Sequence, residues 1–137
     1  MDIKTTTRTE LIDITDRVRT IVKESGVKDG ICVVSTRHIT SGIIVNENES
    51  GLRKDILEML ETLAPENKNY AHNQIDNNAY AHLRAVLLGN GAVLPLEDGH
   101  LVLGTWQSIF FVELDGPRNR SVNVKIIGSL MNPSKNE

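Results

Sequence analysis

Apolar and polar positions alternate along this chain in two periods, and the changes of period divide it into elements. Residues 3–14 are Thr-rich and partly alternating, which predicts a first strand with one wet face. Ile14, Val18, Ile21 and Val22 then fall on one helical stripe, with Thr15 as its cap and Gly26 at its end. Asp29 and Gly30 turn the chain into Ile31, Cys32, Val33 and Val34, a run apolar on both faces, as in a strand covered on both sides. The character changes at Ser35, Thr36, Arg37, His38, Thr40 and Ser41. Ile43, Ile44 and Val45 restore a strand, which ends in Asn46, Glu47, Asn48 and Glu49. Ser50 can cap a second helix, with Leu52, Ile56, Met59, Leu60 and Leu63 at helical spacing and Pro65 as its stop. Residues 66–77 are polar and loop-like. Asn77 or Asn78 can cap a third helix that turns Ala79, Leu83, Val86 and Leu87 inward and stops at Gly89.

The last third reads as β structure. Residues 92–96 and 101–103 are short strands, with a turn at Glu97, Asp98 and Gly99 between them. After an interruption at Gly104, Thr105, Trp106 and Gln107, residues 109–114 are apolar on both faces. A turn follows at Asp115, Gly116 and Pro117. Val122, Val124 and Ile126 then alternate with Asn123 and Lys125. Seven strands with two to three helices among them predict an α+β fold of two small sheets. Residues 109–114 need cover on both faces, and a subunit interface would supply one cover. Residues 1–130 make one domain, and residues 131–137 form a frayed tail.

Composition narrows the setting. A net charge of −3 over 137 residues argues against a general nucleic-acid or membrane-surface binder, which needs clustered Lys and Arg. No apolar run approaches the ~20 residues needed to span a bilayer, and the first ten residues are too polar for a secretory signal. Cys32 is the sole cysteine, so no internal disulfide forms, and a reducing cytoplasm is the expected location. Its apolar surroundings favour a buried structural thiol over a nucleophile.

Three of the four histidines carry candidate chemistry. His38 follows the central strand, His72 sits in the polar loop and His82 lies early in the third helix. Imidazole can be a metal ligand or a proton shuttle, although a histidine is more often a hydrogen-bonded surface or core group, and their spacing matches no short zinc motif. Glu47 and Glu49 share a face if the strand continues, where they can hold a divalent cation or split into acid and base. Alternatively Glu49 is a solvated strand end favouring the next helix's N-terminus. Arg118 and Arg120 follow Gly116 and Pro117, while Arg37 and Arg84 flank histidines. Guanidinium suits phosphate because its fork donates two parallel hydrogen bonds, although arginines in a turn are commonly just exposed. Trp106 beside Gln107 can wall a pocket for a planar ring or serve as core or interface.

Three stretches, STRHITSGIIVNENE (35–49), YAHNQIDNNAYAHLRAVLLG (70–89) and LVLGTWQSIFFVELDGPRNR (101–120), together resemble the YjbQ-like family, also called the secondary thiamine-phosphate synthase family. The resemblance covers nearly the whole chain in order. It implies an α+β fold with about seven strands in two sheets of a β-sandwich, and a homotrimer with sheets packed around the threefold axis. The family's polar positions fall on His38, Thr40, Asn46, Glu47 and Glu49, on His72, Asp76, Asn78 and His82, and on Trp106, Gln107, Arg118 and Arg120. One departure is Tyr80, where many members carry a second histidine or an acidic residue.

The implied activity joins a pyrimidine diphosphate to a thiazole phosphate, giving thiamine phosphate and pyrophosphate. On that reading Arg84, Arg118 and Arg120 neutralise the pyrophosphate. Trp106 stacks on a ring, while Gln107, Asn46 and Asn78 contact substrate. His38, His82, Glu47 and Glu49 are the catalytic candidates, and His38, His72 and His82 are the candidate ligands of a divalent zinc or magnesium ion. Two other classes stay open: a metal-dependent hydrolase built on the histidines with Glu47 or Glu49 as base, and a non-catalytic trimer that binds a metabolite or anion.

Overall fold

The computed structural model describes residues 1–131. Among them the order is Asp2–Lys4 (β1), Glu10–Asp13 (β2), Thr15–Ser25 (α1), Asp29–Ser35 (β3), Ser41–Asn46 (β4), Ser50–Leu63 (α2), a 3₁₀ turn at Ala71–Gln74, Ala79–Leu88 (α3), Gly91–Glu97 (β5), His100–Leu101 (β6), Ser108–Glu113 (β7), Asn119–Ser121 (β8) and Asn123–Ser129 (β9). The fold is α+β, and every strand pairing is antiparallel. The strands form three sheets, β1-β8, β2-β7-β4 and β6-β5-β3-β9. The seven strands in two sheets expected from the sequence are thus corrected to nine in three. The two additional strands come from β8 and from the break of the expected first strand. Glu10 gathers the N–H groups of Thr6 and Thr7 at 2.8 and 2.7 Å, which closes a turn there. β1 and β2 then enter different sheets.

The layers follow from the two faces of β7, the middle strand of its sheet. Ile109 and Phe111, with Ile43 of β4, meet Cys32, Val34, Leu94 and Leu96 of the four-stranded sheet and Val18 and Val22 of α1. Phe110, Val112 and Leu114, with Leu11 of β2, pack against Leu60 of α2 and Tyr80 and Ala81 of α3. Each of these side chains is at most 7% exposed, and burying one of this kind is worth about 1.5–3 kcal/mol. Both covers of residues 109–114 therefore come from the same chain, and no subunit interface is needed there. The uncovered apolar face lies elsewhere. On the outer side of the four-stranded sheet, Ile31 stands opposite Pro95 and Ile127, and Val33 stands opposite Val93. Ile31, Val93 and Ile127 are 38%, 62% and 52% exposed.

The helices start and face somewhat differently from the sequence expectation. Thr15 is not the cap of α1. Ile14 holds that position, and the Asp13 carboxylate accepts the Thr15 N–H and hydroxyl at 2.9 and 2.6 Å. The Thr15 hydroxyl oxygen in turn accepts the Ile109 N–H at 2.8 Å, fixing the helix to β7. α2 is capped by Glu49, whose carboxylate accepts the Leu52 N–H, and not by Ser50. α3 is rotated from its expected setting. It buries Ala79, Tyr80, Ala81 and Arg84, and leaves Leu83, Val86 and Leu87 exposed. Small alanines let the helix approach the sheet closely. At the same junction a Cβ on Gly42 would lie 2.9 Å from the Leu88 Cβ. No helix among the described residues is long and apolar enough to cross a membrane. The expected tail beyond residue 131 lies outside the described residues.

Candidate functional site

The site grows from a buried charge. Glu113 ends β7, an otherwise apolar strand, and is fully buried, so its carboxylate needs partners. Arg120 of β8 supplies the charge through a two-pronged contact, Nε to Oε1 at 2.9 Å and Nη2 to Oε2 at 2.6 Å. The Thr5 hydroxyl donates to Oε1 at 2.8 Å, and the N–H groups of Leu114 and Asp115 donate to Oε2 at 3.0 and 3.1 Å. Burial alone would push the Glu113 pKa up. The hydrogen bonds from Arg120, Asp115 and Thr5 outweigh it and hold the group below the ordinary carboxylate value. Arg120 also donates to the Thr40 hydroxyl at 2.8 Å, so the pair clamps the start of β4.

His38 stands on this platform in the loop between β3 and β4. Its Nε2 accepts the Ser121 N–H of β8 at 3.0 Å. Burial and the Arg120 and Arg37 cations lower its pKa, with Glu113 pulling the other way. Across from it, the 3₁₀ turn and α3 bring His72 and His82 together, ring edge to ring face, with centroids 4.8 Å apart. The His72 Nε2 lies 3.1 Å from the Asn78 Oδ1. The Asn78 amide nitrogen donates to Asp115 Oδ2 at 3.0 Å. Arg118 completes this line, with Nη2 at 3.0 Å from the same oxygen and Nε donating to the Asp115 carbonyl at 2.7 Å. Together these side chains line a groove of about 580 Å³, a volume suited to a small molecule. Arg37, Ile39, Thr40, Ile75 and Asp76 also line it.

Of the residues singled out from the sequence, the groove gathers Arg37, His38, Thr40, His72, Asp76, Asn78, His82, Arg118 and Arg120. The others are elsewhere. Arg84 is buried against α2. It donates to the Ala64 carbonyl at 3.0 Å, pairs with Glu61, and lies over the Tyr80 ring at 4.8 Å. Tyr80 is itself core, its hydroxyl accepting from Arg8 at 2.9 Å, and burial raises its pKa. Asn46, Glu47 and Glu49 stand at the far end of β4, roughly 20 Å from Thr40 by strand rise. Glu49 is occupied as a helix cap, and the Asn46 Oδ1 accepts the Glu47 N–H at 2.8 Å. Trp106 and Gln107 belong to the same remote end, because Ser108 pairs with Asn46. The Gln107 Oε1 accepts the Gly104 N–H at 2.8 Å, and Trp106 is 72% exposed. Cys32 is buried in the core, and burial raises its pKa.

Two of these imidazoles already have a partner at Nε2, a backbone N–H for His38 and Asn78 for His72, which leaves Nδ1 as the nitrogen that could take a ligand or an ion. Among the described residues no three His, Cys, Asp or Glu side chains converge on a point that could hold an ion. The central residues missed by the sequence reading are Glu113, Thr5 and Asp115. Glu113 did leave a signal: a carboxylate inside a run buried on both faces must have a cation nearby.

Comparison with known proteins agrees with this architecture. The family model described as UPF0047 protein YjbQ-like matches residues 1–129. A UPF0047 protein of Methanothermobacter thermautotrophicus is 53% identical over 128 residues, 93% of this chain and 90% of that protein. YugU of Bacillus subtilis, also a UPF0047 protein, is 38% identical over 93% of this chain and 97% of its own. Among solved structures, a protein of unknown function from Sulfolobus solfataricus superposes with a TM-score of 0.92 at 47% identity, covering 94% of each chain. A YjbQ/UPF0047 protein from Clostridium acetobutylicum gives 0.88 at 44% identity, covering 93% and 98%. With a family model spanning nearly all of it and relatives this similar over their whole lengths, the chain belongs to the YjbQ-like UPF0047 family.

Proposed function

We propose that the groove between His38, His72 and Arg118 binds a small phosphorylated metabolite and acts on it as an enzyme. The observation that carries this is the convergence of three imidazoles and an exposed guanidinium on one small-molecule-sized groove, above a neutralised buried ion pair. Phosphate oxygens need donors, and at the groove surface His38 and the Arg118 Nη1 group, left over after Nε and Nη2 bind Asp115, can supply them. Arg120 acts differently, because its guanidinium is spent on Glu113 and Thr40 and so positions the loop of His38.

Thiamine-phosphate synthesis is the specific reaction proposed for this groove. In it the bond from the pyrimidine's methylene carbon to the diphosphate oxygen breaks, and both electrons leave on pyrophosphate. The thiazole nitrogen's lone pair forms the new C–N bond. No proton has to be abstracted, so the protein's task is to hold two phosphorylated partners in line and stabilise charge on the leaving oxygen. Arg118 and a His38 N–H are the groups placed for it. The hydrolase reading is less well supported, because Glu47 and Glu49 lie far from the histidines. Incubating the purified protein with both phosphorylated substrates and following pyrophosphate release tests the proposal. Turnover that falls at least tenfold in both H38A and R118A supports it, whereas equal turnover in these variants assigns the signal to a contaminant. Saturable binding without turnover would favour the non-catalytic reading.

The exposed apolar face of the four-stranded sheet supports self-association, and the family resemblance makes a homotrimer the assembly proposed. Sedimentation velocity of V93K, which puts a charge in the middle of that face, is expected to show monomer. An unchanged sedimentation coefficient would place the contact elsewhere. The proposed setting is the cytoplasm, where a lone thiol such as Cys32 stays reduced.

A further inference from the structure

We infer that the groove is polarised by two fixed imidazole tautomers: His38 offers Nδ1–H as a donor, His72 offers a bare Nδ1 as an acceptor, and the matching ligand is a phosphate compound that also carries a hydroxyl or amino group. The ligand half of this inference rests on the phosphate reading above; the tautomer half stands on hydrogen bonds alone.

For His38 the constraint begins at the backbone. Ser121 lies in β8 opposite Asp2 of β1, and its N–H points at the ring, 3.0 Å from Nε2. A backbone N–H can only donate, so Nε2 must present its lone pair. The neutral ring must then carry its proton on Nδ1. Protonating Nε2 would set donor against donor, so the bond exists only with the neutral ring. The charged groups around the ring are Arg120, Arg37 and Glu113. The two cations favour the neutral form and Glu113 opposes them. Free imidazole side chains prefer the Nε2–H form, so this ring is held in the less common one.

At His72 the constraint runs through three residues and ends the opposite way. The Asp115 carboxylate accepts from Arg118 at 3.0 Å and faces the Arg8 guanidinium at 3.8 Å. It can only accept from Asn78, so the Asn78 amide turns its NH₂ to Asp115 and its oxygen to His72. That oxygen is an acceptor, and His72 Nε2 must therefore donate to it. The nitrogen left for a ligand is Nδ1, which then has a lone pair and no proton. The His82 ring packs against that of His72 at 79°, with centroids 4.8 Å apart.

The two walls of the groove are thus chemically opposite. A phosphate oxygen, which only accepts, is matched by His38 and Arg118 and is mismatched at His72 Nδ1. A ligand hydroxyl or amino group is matched at His72. Asn78 is a positioning residue here: it sets the polarity of His72 through Asp115 without touching the reacting atoms.

Long-range ¹H–¹⁵N spectra of the imidazoles in uniformly labelled protein at pH 8 read both tautomers directly. The expected result is a pyrrole-type Nδ1 and pyridine-type Nε2 for His38, and the reverse for His72. An Nε2–H pattern at His38, or a mixed pattern at His72, overturns the inference. Calorimetry with glycerol 1-phosphate and propyl phosphate tests the ligand half. The hydroxylated probe should bind about three- to tenfold more tightly, the range of one neutral hydrogen bond, and N78L should erase that difference while both probes still bind. A preference that survives in N78L overturns the assignment to His72. If neither probe nor inorganic phosphate binds while the spectra show both tautomers, the phosphate reading fails and the polarity stands.

Discussion

Replacing Glu113 by Gln removes one charge from the most deeply buried polar position among the described residues, and the structure sets the size of the loss. Both carboxylate oxygens are surrounded by donors: Thr5 and Arg120 Nε on Oε1, and Arg120 Nη2 with the Leu114 and Asp115 N–H groups on Oε2. A carboxylate can accept all five. An amide must place its NH₂ on one side, where it faces donors, and Arg120, only 8% exposed, is left without a counter-charge. Breaking a buried pair on one side costs about 3–5 kcal/mol. Typical unfolding free energies are only about 5–15 kcal/mol, so a large share of the stability should go. Urea titration at matched protein concentration, followed by circular dichroism, measures it. The double variant E113Q/R120M should recover part of the loss, because the orphaned cation is gone. The pH dependence has a definite sign. The folded-state pKa of Glu113 is depressed, so the stability it contributes is present above its unfolded value of about 4.3 and is lost as pH falls through the lower folded value. E113Q should flatten the acid limb of the wild-type stability curve. A loss below about 1 kcal/mol, which is the level of an exposed ion pair, would refute the reasoning.

Arg118 has an exposed side chain and can be changed without touching the core. R118A should weaken phosphate binding by about tenfold or more, the range of a charge-assisted hydrogen bond, while the urea midpoint stays near wild type. E49A removes the α2 cap and should cost about 1 kcal/mol, with phosphate binding unchanged because Glu49 is remote from the groove. G42A brings a methyl group 2.9 Å from the Leu88 Cβ and 3.1 Å from its Cδ1. It should destabilise by about 1–3 kcal/mol through displacement of α3, and equilibrium unfolding will show it.

The sequence pattern was a good guide wherever one face of an element decided its burial. α1 and α2 end near Gly26 and Pro65 as expected, and residues 109–114 are buried on both faces as their composition demanded. It misled at α3, where Leu83, Val86 and Leu87 are the larger aliphatics but Ala81 and Tyr80 are the ones that fit against the sheet. Arg84 is buried there because Glu61, on another helix, accepts its charge, and no local pattern announces that. The carboxylates at 47 and 49 share a face only if the strand continues. It stops at Asn46, and Glu49 turns to the helix behind it. The histidine groove was legible as residue types and not as a place. What brings His38 beside Arg120 is the β1-β8 pairing, a contact between the two ends of the chain that periodicity cannot report.

The position of Trp106 has a practical consequence for anyone studying this protein by optical methods. It is the one indole in the chain, it is largely bathed in water, and it sits a strand's length from the histidines. Its emission will already resemble that of a denatured chain, and a ligand entering the groove will leave it nearly unquenched. A blue shift on raising protein concentration would instead report that another molecule has come to rest against that loop.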